Sequence, residues 1–172
     1  MGLELAEQLG WQLPDVILYP TGGGTGLLGM WKAFDELEAI GMIDSRRPRM
    51  VAVQADGCAP IVRAFAAGEE SATPWQNATT VANGLRVPTA FADQEILQVL
   101  RESNGAAIMI EDEAMLAMLR RLAAVEGIYT APEAAATLVA AERLVADGTI
   151  YRDERVVTFL TGNAYKYLSS LA

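Results

Sequence analysis

Two apolar patterns alternate along the chain. Short, mostly apolar runs at 16–19 (VILY), 49–54 (RMVAVQ), 106–110 (AAIMI) and 156–160 (VVTFL) have the length of buried strands. Between them, apolar residues recur at helical spacing over 3–9, 27–40, 60–67, 93–103, 112–125 and 132–146. Gly41, Gly68, Asn104-Gly105 and Gly148 stand just past four of these stretches, where helices stop. Pro132 stands at the first position of the last one, where its missing N–H costs nothing. The segment 69–88 has no period and many polar and turn residues, so it reads as a long loop of the kind that carries function. Alternation of buried strands with helices predicts a three-layer α/β fold with a mostly parallel sheet, in one domain over 1–172.

In such sheets, ligands sit beyond the carboxyl ends of strands. Gly22-Gly23-Gly24-Thr25-Gly26 follow the first strand directly, and Thr161-Gly162 follow the last, so the two are expected to converge on one site. Glycines let the backbone approach an anion, successive amides form a concave nest, and the next helix adds the positive end of its dipole. The turn therefore predicts a small-molecule ligand that carries a phosphate. Its residues fit a second pattern too. Gly24-Thr25-Gly26-Leu27-Leu28-Gly29 satisfies G-x-G-x-x-G, and Asp56 ends the next strand where a dinucleotide's ribose would lie. On local residues alone, a dinucleotide-binding dehydrogenase fragment and a tight turn without ligand both stay open.

Composition narrows the choice. The net charge of −9 and pI near 4.5 disfavour nucleic acid and anionic membranes as partners. No apolar run approaches the roughly 18 residues of a membrane span, and the first residues lack the basic start of a secretory signal. One cysteine, Cys58, excludes an internal disulfide and suits a reducing cytoplasm. With no histidine, Ser–His and Cys–His hydrolysis are excluded and no metal site is expected. Apolar residues make up 52% and mean hydropathy is +0.20, high for a soluble monomer. The excess is expected to form surface that another chain covers, in a homo-oligomer or with a separate polypeptide, and a non-catalytic interaction module is one form this could take.

Other side chains read as structural. Lys32, on a helix past the glycine turn, is expected at the surface, while Lys166 falls nearer the site. Cys58 reads as a small buried residue, Glu69-Glu70 as solvated loop carboxylates, and Glu111-Asp112-Glu113 as helix-start charges. Arg46, Arg47 and Arg49 read as a solvated turn, and Met109, Met115 and Met118 as core filling.

The segment 20–34 (PTGGGTGLLGMWKAF) resembles the phosphate-binding segment of the threonine synthase family, within the fold type II pyridoxal-phosphate enzymes. Segments 54–65 (QADGCAPIVRAF), 83–88 (NGLRVP), 131–137 (APEAAAT) and 160–167 (LTGNAYKY) resemble further segments of that family in the same order. The resemblance covers essentially the whole chain and implies the C-terminal portion of the large domain, with pyridoxal 5′-phosphate as cofactor. It implies that the amides of Gly22, Gly23, Gly24, Thr25 and Gly26 hold the cofactor phosphate, with the Thr25 hydroxyl alongside. Thr161 would meet the pyridine nitrogen, where a hydroxyl favours the unprotonated ring. Gly84 would lie against the cofactor face, where a side chain would collide. The family's Schiff-base lysine lies in the N-terminal half, so no residue here is assigned a catalytic role. The implied activity of the whole enzyme is a carbon–oxygen lyase reaction: O-phospho-L-homoserine and water give L-threonine and phosphate. Ala134 and Ala164 stand where the family commonly has glycine, and either is expected to shift a helix start or loop away from the cofactor.

Overall fold

The computed structural model describes residues 1–168. Four parallel strands, β1 (Val16–Pro20), β2 (Arg49–Ala55), β3 (Ala106–Ile110) and β4 (Val156–Thr158), form one sheet in the order β3-β2-β1-β4. Six helices accompany them: α1 (Gly2–Gln8), α2 (Thr25–Ala39), α3 (Pro60–Ala67), α4 (Asp93–Glu102), α5 (Asp112–Glu126) and α6 (Pro132–Ala146). The expected three-layer α/β fold is the one found.

Strand side chains alternate between the faces, and this divides the core in two. Ile17, Met50 and Ala52 pack with Leu27, Met30 and Phe34 of α2, Ile61 of α3 and Ile96, Leu97 and Leu100 of α4. Val16, Leu18, Val51, Val53 and Ile110 pack on the other side with Met115 and Leu119 of α5 and Ala136 and Ala140 of α6. Both faces of the central strands β1 and β2 are thus covered, which is why they read as apolar runs.

Four expectations need correction. Helix α2 begins at Thr25, two residues early, because Gly24 at φ +82° turns the chain directly into it. Strand β4 ends at Thr158, because the Thr161 amide turns back to the Phe159 carbonyl and draws the chain off the sheet. Met109 is 48% exposed: it lies near the end of the edge strand β3, beyond the helices of its face. Met115 and Met118 are core, as expected. The arginines are not a solvated turn throughout. Arg47 reaches Asp35 and Glu38 of α2, and Arg49 joins the Thr149 carbonyl and Glu154, lacing α2 and β2 to neighbouring segments.

Candidate functional site

Strand order decides where a ligand belongs. From β1 the chain moves to β2 and then β3 on one side, and β4 returns to pair with the other side of β1. The reversal opens a crevice between the carboxyl ends of β1 and β4, the usual ligand position in open parallel sheets. The glycine turn leaves β1 at that point, and Thr161 leaves β4 beside it.

The turn is fixed from below. The Thr21 amide donates to the Val53 carbonyl and its hydroxyl to the Tyr19 carbonyl. The fully buried Gln54 side chain donates to the Thr21 carbonyl at 3.0 Å. Its oxygen accepts the amides of Ile61 and Val62, two otherwise orphaned donors at the start of α3. One amide side chain thus ties the turn to the neighbouring strand and helix.

Above this anchor, the amides of Gly22, Gly23 and Gly24 have no acceptor among the described residues. Gly22 is pressed against the 83–85 turn, Gly24 has a positive φ, and Gly26 lies under the Tyr19 hydroxyl, so packing or conformation explains each of these glycines. Gly23 differs: an added Cβ would meet nothing within 4 Å, and its φ is ordinary. Nothing in the protein requires glycine there, whereas close approach of a ligand anion would. The turn therefore fits a phosphate. The Thr25 side chain is exposed at the first position of α2, beside the same opening.

Next to the turn lies a cavity of about 240 Å³ whose wall includes Tyr19, Pro20, Gly84, Glu133, Thr161 and Tyr167, with Lys166 at its rim. Of the residues read from sequence, Gly84 and Thr161 meet in this wall. The glycines do not line it, but border it through Pro20 and through the contact of Gly22 with Gly84. The volume is below the roughly 300 Å³ at which ligand pockets begin, as a site with one wall elsewhere would be. Lys32 is away from it, paired with Glu36 on the exposed side of α2.

Three residues in the wall carry signals the sequence reading missed. Tyr19 packs edge-on against Phe159, and burial pushes its hydroxyl pKa up. Glu133, at the second position of α6, accepts the Gly84 amide at 2.7 Å and the Tyr167 hydroxyl on the same oxygen. Burial first, and the hydrogen bond and charge of Glu133 next, hold Tyr167 protonated well above the ordinary tyrosine range. Glu133 stood in the quoted 131–137 segment, but only the fold brings it to Gly84. The Ala131 amide bonds the Gly162 carbonyl and the Ala164 amide bonds the Tyr129 carbonyl, which seats the start of α6 against the Thr161 segment. Ala134 and Ala164 are fully buried within these contacts.

A strand-end glycine turn with unpartnered amides and a cavity beside it is an arrangement that suits a phosphate-bearing ligand on an α/β sheet. The chain belongs to the pyridoxal-phosphate dependent enzyme family, which residues 1–162 match. It is 38% identical over 166 residues to a protein named threonine synthase from Methanosarcina acetivorans, and 34% identical to another from Methanocaldococcus jannaschii. Each match takes in 96% of this chain and 41% of the relative, so the chain spans about two-fifths of the length of these proteins. Among solved structures, a T.th. threonine deaminase shares the fold at TM-score 0.69 and 23% identity, over 94% of this chain and 55% of that one. A fungal L-serine ammonia-lyase from Rhizomucor miehei does so at TM-score 0.75 and 20% identity, over 99% and 53%. The family match decides against the dinucleotide reading of the glycine turn.

Proposed function

We propose that the chain is the cofactor-phosphate-binding part of a threonine synthase-type enzyme, acting on O-phospho-L-homoserine to give L-threonine and phosphate. The observation that carries this reading is the set of unpartnered amides at Gly22, Gly23 and Gly24, at the sheet's switch point, in a chain resembling threonine synthases along almost its whole length.

The amides of Gly22 to Gly24 and the first turn of α2 hold the phosphate dianion. Gly84 offers its backbone to the cavity, and the side chain it lacks would collide with Glu133. Thr161 offers its hydroxyl to the ring nitrogen. The chemistry pyridoxal phosphate supplies when bound is withdrawal of electrons from carbanions formed on the substrate. Neither lysine of the chain matches the family's attachment lysine: Lys32 is held by Glu36, and Lys166 follows Thr161 at the cavity rim. Catalysis then requires a polypeptide that brings that lysine, and the place for this association is the cytoplasm.

The test is titration with pyridoxal phosphate, followed by borohydride reduction and peptide mapping. Saturable binding without a reduced lysine, and no phosphate released from phosphohomoserine, is the expected result. A stoichiometric adduct at Lys32 or Lys166, or phosphate release by the pure chain, would overturn the incomplete-site reading.

A second reading, a non-catalytic module that works by association, is favoured by one surface. Beyond the short strand β4, which has no outer neighbour among the described residues, Leu160, Tyr165 and Leu168 stand exposed. Such a surface favours a homo-oligomer or a covering chain. Light scattering that gives a monomer at high concentration would remove that support.

A further inference from the structure

Tyr19 is the last residue but one of β1, and with Ile17 it faces the α2 side of the sheet. Its ring is fixed edge-on against Phe159, with 5.7 Å between centroids. The hydroxyl lands at the start of α2: a Cβ built on Gly26 would stand 2.0 Å from it. Side chains of an α-helix tilt toward its N-terminus. The hydroxyl therefore lies on the N-terminal side of Gly26, the side to which the opening amides point. Those of Gly22 to Gly26 have no acceptor among the described residues. One side chain thus joins the wall of the cavity to the glycine turn.

The hydroxyl is itself short of a partner. That of Tyr167 is spent on Glu133, whereas that of Tyr19 meets no acceptor among the described residues. Among those residues, Glu133 Oε2 is the one side-chain polar atom that is both buried and unpartnered. The Tyr19 hydroxyl, unpartnered too, therefore keeps an open surface. A donor with an open surface beside a row of free amides is completed by an acceptor that all of them can share. A phosphate dianion has the oxygens for this, and a hydrogen bond to a charged oxygen is about twice as strong as one between neutral groups. We propose that Tyr19 is a further ligand-binding residue of this chain, whose hydroxyl donates to the phosphate held at the glycine turn. The inference rests on the phosphate reading of that turn and adds a donor from the strand that leads into it. Thr161 keeps its place at the ring nitrogen. Burial raises the Tyr19 pKa, so the hydroxyl remains a neutral donor at physiological pH.

The test uses the full chain and two probes: inorganic phosphate, and 4′-deoxypyridoxine 5′-phosphate, which has no aldehyde and binds without a covalent bond. The tyrosines carry ¹³C at Cζ, and Tyr19 is assigned in wild-type protein by its ring contact with Phe159. Either probe is expected to move the Tyr19 Cζ resonance at saturation. Tyr19→Phe, which removes one oxygen, is expected to keep its melting temperature and to lose about tenfold in affinity for both probes. A Tyr19 resonance that stays in place while phosphate binds overturns the inference alone and gives the hydroxyl to solvent. So does a folded Tyr19→Phe that binds both probes as tightly as wild type; if that variant has lost phosphohomoserine instead, the hydroxyl serves the substrate's phosphate. The wild-type spectra decide even if the variant fails to fold. Protein that binds neither probe sinks the phosphate reading of the turn with it.

Discussion

Gly22 and Gly84 meet backbone to backbone: a Cβ on Gly22 would stand 2.3 Å from the Gly84 carbonyl oxygen and 3.0 Å from a methyl of Val87. Two segments far apart in the chain, the glycine turn and the 83–85 turn, are pressed together without intervening side chains. Gly22→Ala cannot be relieved by a rotamer change, because the obstacle is main chain. We expect a loss of about 1–3 kcal/mol, seen as a melting temperature lower by roughly 2–4 °C per kcal/mol, together with weaker pyridoxal phosphate binding.

Gly23→Ala should behave in the opposite way. Its Cβ enters open space at an ordinary φ, so the melting temperature should stay within error. Binding of pyridoxal phosphate should fall, because the methyl group occupies the side from which the phosphate approaches. Unchanged affinity in Gly23→Ala would remove the phosphate from this turn.

Gln54→Ala leaves the Ile61 and Val62 amides and the Thr21 carbonyl short of a buried partner. Each unsatisfied group costs about 1–3 kcal/mol, and relaxation or water entry recovers part of it. A net loss of about 3 kcal/mol is expected in urea denaturation. A loss under about 1 kcal/mol would mean that the turn does not depend on this anchor.

The Tyr167 hydroxyl has a folded-state pKa above its ordinary 10.0, raised by burial and by Glu133. Its contribution is therefore complete below pH about 10 and is lost as pH climbs through the raised value. The urea midpoint of the wild-type chain should fall above pH 10 more steeply than that of Tyr167→Phe. Tyr19 is shifted in the same direction and remains in both proteins, so the comparison isolates Tyr167.

Cys58 is buried, and burial raises its thiol pKa. Iodoacetamide at pH 8 should leave it unmodified in the native chain and label it fully in denaturant. Fast labelling of the native protein would show that the segment after β2 opens readily.

The central strands β1 and β2 were legible because they are buried on both faces: Val16, Ile17 and Leu18 all lie at zero exposure, so these positions had to be apolar. The glycine turn was legible because backbone geometry demands a residue type. Met109 was misread because its apolar character is that of its strand, while its exposure depends on how far the flanking helices reach. Glu133 was beyond sequence reasoning for a similar cause. Its neighbours Gly84 and Tyr167 come from the 83–85 turn and the segment after β4, and only the completed sheet brings them to α6. Arg47 and Arg49 looked like solvated charges because their carboxylate partners on α2 and at Glu154 are fixed by packing alone.

Strand β4 pairs Thr158 with Leu18 of β1, joining nearly opposite ends of the chain to build one crevice. Closing so long a loop costs on the order of 4 kcal/mol of chain entropy, which local contacts cannot offset in advance. During synthesis, β1, β2 and β3 can assemble while the crevice still has no far wall. The glycine turn would then be in place before Thr161 or Tyr167 has left the ribosome. A ligand that needs both the glycine turn and Thr161 would therefore have a complete crevice only after β4 has joined the sheet.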